Sequence, residues 1–449
     1  MVDNRFLEVF NPVNVVNDDR YYVDFSLVTG ERVLEPMRRT ICLSKPDSFT
    51  SQLITGYGGC GKSTELINLK SKLIRDGFYV VYFRFERQLN EVDVRPTDII
   101  LLSIAYRVIQ SLKRDFEINL EPNFFIRICI WLADVLLGIF RLQLNFEVER
   151  EIPKVGKVKI SIKPKDTTRN LSKLEFWDRI KPSSNNILDF VNEILHRATG
   201  KLKQLNKKGL VVIVDNLDHL DKSTDLSLLE QVFIDRNEPL SQLKCHIIYT
   251  LPISLIYSKK YESLKRLGGG IDPKILRIVP VQLRDGSENL EGIKLLKQVI
   301  LSRAFPHVHV DKRYSLISQL FDNPESLTRL CRISGGKVQK LLEILNNCLQ
   351  RVYPKILVKG DIEYEIKQYC NRLLFRMTEE ERKIVCQILQ NIDPEIALEK
   401  RELLLYGIQK GLILEYKDRY KGSWFGLDPT FLEIEEFQAI VKSKNSKHE

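Results

Sequence analysis

The sequence predicts an α/β protein with a doubly wound parallel sheet of five strands, followed by a helical lid and a winged-helix-like domain. A glycine loop stands between a short apolar run, 52–55, and a helical pattern that ends at Gly77. A continuously apolar run, 210–214, ends in an aspartate. Apolar runs without alternation are typical of central parallel strands buried on both faces. Three further apolar runs complete the five strands, with helical patterns between them: 78–85, 246–250 and 275–281.

Length and composition limit the class of protein. A chain of 449 residues exceeds what one hydrophobic core supports, so several domains are expected. With 43% apolar and 29% charged residues, the chain is neither disordered nor fibrous. The eight cysteines include no C-x-x-C pair, so we expect reduced thiols and no structural zinc. The first residues show no secretory signal pattern, and we expect a cytoplasmic protein.

The positive charge is concentrated in residues 150–208. This region holds fifteen basic and six acidic residues, a net +9 out of +10 for the whole chain. A basic region attracts phosphate backbones, anionic lipid or an acidic partner, although a charge run is more often a solvated face. Contact with nucleic acid through 150–208 is therefore an open alternative.

The apolar segment 124–146 needs a separate test, because its composition approaches that of a membrane span. Arg127, Asp134 and Arg141 interrupt it at intervals of seven residues. A bilayer span requires about 20 nearly uncharged residues. We therefore expect a buried or interfacial helix here rather than a membrane span, although charges that recur every seven residues on one face are also compatible with a lipid surface.

The most informative segment is GYGGCGKS, from Gly56 to Ser63, which matches G-x-x-x-x-G-K-[ST] between a strand and a helix. Glycines let backbone amides converge on phosphate oxygens, and the helix N-terminus adds partial positive charge. We expect Lys62 to reach the β and γ phosphates of ATP, Ser63 to ligate Mg²⁺, and Thr64 to hold the α and β phosphates. The predicted nucleotide-binding residues of this segment are Gly56, Gly58, Gly59, Cys60, Gly61, Lys62, Ser63 and Thr64.

Carboxyl ends of the other strands supply the remaining candidates for catalysis. Asp215 follows the run 210–214 and is predicted to hold the magnesium ion with Ser63. Asp218 either polarises the attacking water or has a structural role, in which it caps the next helix or holds the loop, and both interpretations stay open. Thr250 ends the run 246–250 and is predicted to sense the γ-phosphate. The candidate catalytic residues are Lys62, Asp215, Asp218 and Thr250.

Patterns along the chain predict five regions: a leader at 1–50, an ATPase core at 51–285 with an insertion at about 119–182, a lid at 286–360, a winged-helix-like domain at 361–440, and a basic, disordered tail at 441–449. The fourth region contains a capping box at Thr378 and Glu381, a helix at 401–409, and hairpin strands at 412–417 and 423–427. Winged helices often place a helix in a DNA groove. Because helix 401–409 is rich in core residues and its flanking charges offset each other, we favour protein docking or a structural role.

Four segments together carry a resemblance to a known family: GYGGCGKSTEL (56–66), VVIVDNLDHL (211–220), CHIIYTLPISLIYS (245–258) and RISGGKVQKLLEIL (332–345). The chain resembles P-loop ATPases of the additional-strand class, close to bacterial AAA-family, AAA+ and STAND ATPases and related to NACHT, KAP and origin-recognition types. The resemblance implies ATP and Mg²⁺ as cofactors and a helical lid over the nucleotide. After Gly335 and Gly336 the family pattern favours an arginine sensor, whereas this chain has Gln339 flanked by Lys337 and Lys340. A lysine can contact phosphate as a point charge without the planar fork of arginine, and Lys337 is the predicted contact.

One departure from the family pattern concerns catalysis. AAA+ proteins commonly carry glutamate directly after the metal aspartate, and this chain has Asn216 there. A neutral amide cannot accept a proton from water, so hydrolysis depends on Asp218 or is slow. No arginine finger is assigned, although Arg303, Arg329 and Arg332 are candidates, and a finger in trans requires a homo-oligomer.

Together these features predict an ATP-binding, slowly hydrolysing ATPase that acts as a nucleotide-dependent switch or assembly subunit with a protein partner or effector chain. The resemblance suggests a setting in bacterial defence or signalling. One alternative is a remodelling or loading ATPase on nucleic acid, of origin-recognition or transposition-regulator type. Another is a nucleotide-dependent scaffold without turnover.

Overall fold

A computed structural model describes most of the chain. The described residues are 19–30, 32–85, 96–120, 146–152, 156–162, 184–218, 229–352, 355–391, 401–418 and 422–445. The apolar segment 124–145 and most of the expected insertion lie outside these residues.

The central sheet contains five parallel strands in the order β2-β5-β6-β1-β7. These strands are β1 (Ser51–Thr55), β2 (Tyr79–Arg84), β5 (Leu210–Asp215), β6 (His246–Leu251) and β7 (Lys274–Ile275). Two antiparallel hairpins join β3 (Phe146–Ile152) to β4 (Gly156–Ile162), and β8 (Ile413–Asp418) to β9 (Gly422–Leu427). The predicted α/β class with a five-stranded parallel sheet is confirmed.

Fourteen α-helices occur among the described residues: α1 (Ser26–Thr29), α2 (Leu34–Cys42), α3 (Lys62–Arg75), α4 (Pro96–Phe116), α5 (Ser184–Gln204), α6 (Glu238–Ser241), α7 (Tyr261–Leu267), α8 (Leu290–Ala304), α9 (Pro324–Ile333), α10 (Val338–Val352), α11 (Lys359–Arg376), α12 (Glu379–Asn391), α13 (Arg401–Gln409) and α14 (Glu435–Asn445). Shorter 3₁₀ segments lie at Asp19–Tyr21, Ile253–Tyr257, Val310–Gln319 and Pro429–Glu433, and a π segment lies at Gln231–Asp235.

Helices cover both faces of the sheet, as a doubly wound fold requires. Along β5, Val211 and Ile213 pack toward α2 and α3 on one face. Leu210, Val212 and Val214 pack toward α4 and α5 on the other. This alternation follows from the period of two along a strand. Because both faces are covered, the strand is apolar throughout, and its first polar side chain is Asp215 at the carboxyl end.

The last strand is shorter than its apolar run suggests. Only Lys274 and Ile275 pair with β1, and the run to 281 then leaves the sheet. The chain passes beneath the lid helices α8 to α10, where a Cβ atom on Gly336 would lie 1.8 Å from the carbonyl oxygen of Val279. The apolar residues of this run are therefore buried against the lid, and the prediction of a strand over 275–281 was wrong beyond its first residue.

The C-terminal module, defined here as residues 379–445, has the expected order of helix, helix and hairpin. Thr378 and Glu381 form the reciprocal capping box, with bonds of 2.9 and 3.1 Å. Helix α14 continues to Asn445, so the expectation of a disordered tail from 441 was wrong for 441–445. Its first turn carries two glutamates, which stabilise the positive end of the helix dipole.

Candidate nucleotide-binding site

Gly56 and Gly61 illustrate why the loop between β1 and α3 needs glycine. A Cβ atom on Gly56 would lie 2.4 Å from the carbonyl oxygen of Leu276, too close for any side chain. Gly61 precedes α3 with a left-handed φ of 103°, which residues with a Cβ rarely adopt. The loop thus places the N-terminus of α3 at the carboxyl edge of the sheet, an arrangement that favours anions. The other predicted nucleotide-binding residues lie in this loop or in the first turn of α3: Gly58, Gly59, Cys60, Lys62, Ser63 and Thr64.

Lys62 is buried, with 6% of its surface exposed, and its ammonium group has three acceptors. Nζ donates to the carbonyl oxygens of Gly56 at 2.6 Å and Tyr57 at 2.9 Å, and lies 3.0 Å from Oδ2 of Asp218. Burial alone would lower the pKa of Lys62, but Cys60 and Asp218 outweigh that effect and raise the pKa above its ordinary value. Lys62 therefore carries a fixed positive charge at the loop.

The carboxylate of Asp215 is held by three donors from three elements. Oδ2 accepts from the hydroxyls of Ser63 at 2.6 Å and Tyr82 at 2.7 Å, and Oδ1 accepts from the backbone N–H of Asn216 at 2.7 Å. Hydroxyl and carboxylate oxygens are the hard ligands that Mg²⁺ takes in nucleotide sites. Because Ser63 and Asp215 are in direct contact, they fit as the two protein groups beside a magnesium ion, and the predicted metal site gains support.

Asn216 and Asp218 diverge in the turn after β5. Asn216 adopts a left-handed φ of 73°, and its amide donates to the carbonyl oxygen of Phe85 at 2.9 Å. Asp218 points toward Lys62 instead, so the turn offers one carboxylate at the loop. The helix that Asp218 was expected to cap lies outside the described residues, and its role as the base that accepts the water's proton stays a prediction.

Thr250 supports this turn from inside the molecule. It is fully buried, and its hydroxyl accepts from the backbone N–H of Leu217 at 3.0 Å. Within the described residues, Thr250 does not line the cavity above the loop. Its predicted role as a γ-phosphate sensor therefore gains no support from the geometry, which shows a residue that joins β6 to the turn after β5.

A cavity of about 260 Å³ lies above the loop, between the core, the lid and the C-terminal module. The backbone N–H of Gln339, in the first turn of α10, donates to the carbonyl oxygen of Gly59 at 3.1 Å. The lid therefore touches the loop directly. Residues from all three regions line the cavity, among them Gly56, Tyr57, Gly58, Gly59, Asp218, Lys337, Gln339, Lys340 and Lys410.

Lys337, the predicted phosphate contact of the lid, is bonded to the C-terminal module. Its Nζ lies 2.9 Å from Oδ2 of Asp428 and 3.1 Å from the carbonyl oxygen of Gly411. Lys340 binds the same carboxylate at 2.5 and 2.7 Å, and Thr430 at 2.7 Å. Two lysines at the rim of the cavity therefore share one buried aspartate, and a direct contact of Lys337 with phosphate stays a prediction.

A second contact joins the loop to the C-terminal module through Tyr57. Its buried hydroxyl accepts from the backbone N–H of Glu415 in β8 at 2.9 Å. The side chain of Glu415 binds the hydroxyl of Tyr257 at 2.6 Å and the guanidinium of Arg277 at 2.5 Å. Tyr57, Cys60 and the C-terminal module belong to one hydrophobic cluster. The loop is thus built into the interface with this module.

The three candidate arginine fingers have partners within the chain. Arg303 is 5% exposed, and burial lowers its pKa to about 10. Arg329 binds Glu363 at 2.8 Å and Glu433 at 2.9 Å, and Arg332 binds Glu288 and Glu325. These contacts give the three side chains structural roles in the lid.

Sequence reasoning missed four residues that complete this site: Tyr57, Tyr82, Glu415 and Asp428. Tyr82 carried a detectable signal, because a hydroxyl near the end of an apolar strand faces the same sheet edge as Asp215. No local pattern in the sequence indicated the other three residues, Tyr57, Glu415 and Asp428, because their partners are remote in sequence.

Among the described helices, none combines the length and apolarity that a bilayer crossing demands.

No family model and no curated protein matches the chain. Its fold is similar to that of the Walker-type ATPase paby2304 of Pyrococcus abyssi, with 11% identity and a TM-score of 0.43, over 92% of this chain and 95% of that one. It is also similar to the Orc1 protein of Aeropyrum pernix, solved in complex with DNA, at 12% identity and a TM-score of 0.38, over 97% and 96% of the two chains. A third similar structure is Cdc6p of Pyrobaculum aerophilum, with 12% identity and a TM-score of 0.37, over 100% of this chain and 99% of that one. The order of the five parallel strands, with helices on both faces, gives the chain a doubly wound α/β fold, and the glycine loop and Asp215 lie at the carboxyl edge of its sheet.

Proposed function

We propose that this protein is a nucleotide-operated switch that binds ATP with Mg²⁺ on the loop 56–64 and hydrolyses it slowly. Lys62 supports nucleotide binding, because its charge is fixed at the loop beside the N-terminus of α3. The contact between Ser63 and Asp215 supports the magnesium site. Bound Mg²⁺ would neutralise phosphate charge, while Lys62 orients the phosphate chain.

The contact between the loop and the C-terminal module carries the switch proposal. Tyr57 in the loop binds β8, while Lys337 and Lys340 at the cavity rim bind Asp428. A phosphate group in the cavity would compete with Asp428 for these lysines. Nucleotide and module then share binding partners, so occupancy of the loop changes the stability of the docked arrangement.

Slow hydrolysis is supported by the turn after β5. Asn216 cannot act as a base, and its amide is bonded to Phe85 on the neighbouring strand end. Asp218 is paired with Lys62, so that lysine must move toward phosphate before the carboxylate can meet a water molecule. Turnover would therefore require a rearrangement at Lys62.

Calorimetry and hydrogen exchange test the two parts of this proposal. We expect folded wild-type protein to bind Mg-ATP, and Lys62→Ala to bind it about 10- to 100-fold more weakly, since a charge-assisted bond is lost. Lys72→Ala, ten residues further along α3, is the matched control and is expected to bind normally. Amides of β8 and β9 are expected to exchange at different rates with ATP and with ADP.

Two results would contradict the proposal separately. Failure of the wild type to bind any nucleotide removes the ATPase assignment. Equal exchange of β8 and β9 in all nucleotide states removes the switch and leaves a plain ATPase or a scaffold.

A second candidate, a loading ATPase on nucleic acid, is supported by the exposed end of the basic region. Arg197, Lys201 and Lys203 on α5, and Lys208 before β5, are exposed. Because Lys208 precedes β5, this surface lies near the amino ends of the parallel strands, whereas the loop lies at their carboxyl ends. Helix α13 supports the module-docking alternative, because its end lines the cavity and Ile408 is buried.

Salt dependence separates the nucleic-acid candidate from the switch. If this surface binds DNA or RNA, the logarithm of affinity falls linearly with the logarithm of salt, with a slope near the number of phosphates contacted. Charge reversal at Lys201 and Lys203 should weaken such binding at every sequence tested. Absence of binding at low salt would eliminate this candidate.

A further inference from the structure

The carboxylate of Asp215 has a partner on the neighbouring strand that the motif does not include. Tyr82 lies on β2 and donates its hydroxyl to Oδ2 of Asp215 at 2.7 Å. The same oxygen accepts from Ser63 at 2.6 Å, and Asp215 itself is 1% exposed. Two hydroxyls from two elements therefore fix one buried oxygen.

The register of the sheet explains how Tyr82 reaches this position. β2 and β5 are parallel, with Tyr82 opposite Ile213 and Arg84 opposite Asp215. Ile213 and Asp215 are two residues apart, so their side chains leave the same face of the sheet. Tyr82 packs against the cluster that contains Ile213 and helix α3. Its long side chain then extends forward by about 7 Å, two residues along the strand, to the carboxylate.

The hydroxyl of Tyr82 is the donor in its bond to Asp215. A carboxylate oxygen accepts hydrogen bonds, and the phenolic O–H supplies the proton. If Ser63 held a metal ion through an oxygen lone pair, its hydroxyl proton would still be available to Asp215. Tyr82 would supply a second side-chain donor, from a different element, that fixes Oδ2.

The geometry points to Tyr82 as a positioning residue of the magnesium site, which holds the Asp215 carboxylate in the orientation that meets Ser63. This inference rests on the proposed function, since it concerns the same nucleotide site. Partners that orient metal ligands by hydrogen bonding typically contribute about 10- to 100-fold to metal affinity. Tyr82 interacts with Asp215 and Ser63 but is not among the residues that line the cavity above the loop, so its effect passes through these two side chains.

The test uses Tyr82→Phe with Tyr79→Phe as its matched control. Tyr79 lies on the same strand, and its hydroxyl donates to Oδ2 of Asp115 at the same 2.7 Å, on the opposite face of the sheet. Calorimetry gives the dissociation constant of ADP in EDTA and in saturating Mg²⁺, and their ratio reports metal affinity in the complex. We expect Tyr82→Phe to reduce this ratio about 10-fold or more, and Tyr79→Phe to leave it unchanged.

A double-mutant cycle distinguishes positioning from general packing. In an Asp215→Asn background, Tyr82→Phe should have no further effect on the ratio, because the carboxylate it positions is gone. An additional loss in that background would overturn the inference, as would equal ratios for Tyr82→Phe and wild type. Failure of wild-type protein to bind ADP under either condition would overturn the proposed function as well.

Discussion

Two buried lysine–aspartate pairs each contribute one residue, Asp218 or Lys340, to the lining of the same cavity, and they are not equivalent. Lys62 is 6% exposed and pairs with Asp218, while Lys340 is 5% exposed and pairs with Asp428. Both ammonium groups have three protein acceptors. The pKa of Lys62 is nevertheless raised, whereas burial lowers the pKa of Lys340 to about 8.

The difference arises from the groups around each buried ammonium. Cys60, Asp218 and Asp215 raise the pKa of Lys62, whereas Asp428 raises and Lys337 lowers the pKa of Lys340. Asp218 binds Lys62 alone among the described ion pairs, so the two charges balance. Asp428 binds both Lys337 and Lys340, and repulsion from Lys337 adds to the burial of Lys340. In the loop pair, Lys62 and Asp218, the ammonium group therefore stays charged and is balanced by one carboxylate. In the lid pair, Lys340 and Asp428, the neighbouring Lys337 leaves an excess positive charge that an anion in the cavity would stabilise. Burial alone does not determine a lysine's protonation; the local charge balance does.

The largest effect that separates the pairs is expected on turnover. Asp218→Asn should lower hydrolysis by about 10²- to 10⁴-fold if its carboxylate accepts the proton of the attacking water. ATP affinity should stay the same or increase, because Asn no longer competes for Lys62. Single-turnover hydrolysis and calorimetry on the same preparation give both values. Asp272→Asn, which removes an exposed carboxylate paired with Lys265, is the control. Unchanged turnover would leave Asp218 as a counter-ion of Lys62 only.

Breaking the lid pair is expected to act on stability. Asp428→Asn leaves the buried Lys340 and the partly buried Lys337 without a counter-charge and should destabilise the docked C-terminal module by about 3–5 kcal/mol. Hydrogen exchange of β8 and β9 measures this free energy for the module itself. Asp47→Asn removes an exposed partner of Lys203, with 72% and 52% of the two side chains accessible, and should not change exchange in β8 or β9. Equal protection in the Asp428 variant would show that the module does not depend on this pair.

The lowered pKa of Lys340 gives the lid pair a pH dependence of its own. Its pKa in the folded protein, about 8, lies below the ordinary 10.5, so between these values the unfolded chain binds more protons. The contribution of Lys340 to stability therefore rises with pH in that window, by at most about 1.4 kcal/mol per pH unit. The difference in module stability between wild type and Lys340→Met should follow this slope from pH 8 to 10. A flat difference would mean that Lys340 titrates as an ordinary lysine.

Local patterns in the sequence were sufficient for the elements but not for the contacts between them. Periodicity and the glycine motif identified the sheet, the loop and Asp215, because each depends on neighbouring residues. The bond between Tyr57 and Glu415 joins positions 358 apart, and that between Lys340 and Asp428 joins positions 88 apart. Such pairs depend on how domains dock, which a single sequence does not encode in any local period. The run 275–281 misled for the same reason, since it is buried by the lid rather than by a neighbouring strand.

The smallest expected effect concerns the bond that joins the loop to β8. Tyr57→Phe removes the acceptor of the Glu415 backbone N–H and should weaken docking by about 1 kcal/mol. Tyr249→Phe is the matched control, because its equally buried hydroxyl bonds the carbonyl oxygen of Leu240 within the core. Exchange of the Glu415 amide should accelerate in the first variant and not in the second. Lys62 donates to the backbone carbonyl oxygen of Tyr57, which this substitution does not remove. The variant should therefore keep its nucleotide affinity if only the tyrosine side chain links the loop to the module. Loss of affinity along with docking would show that the loop pair and the lid pair respond as one unit.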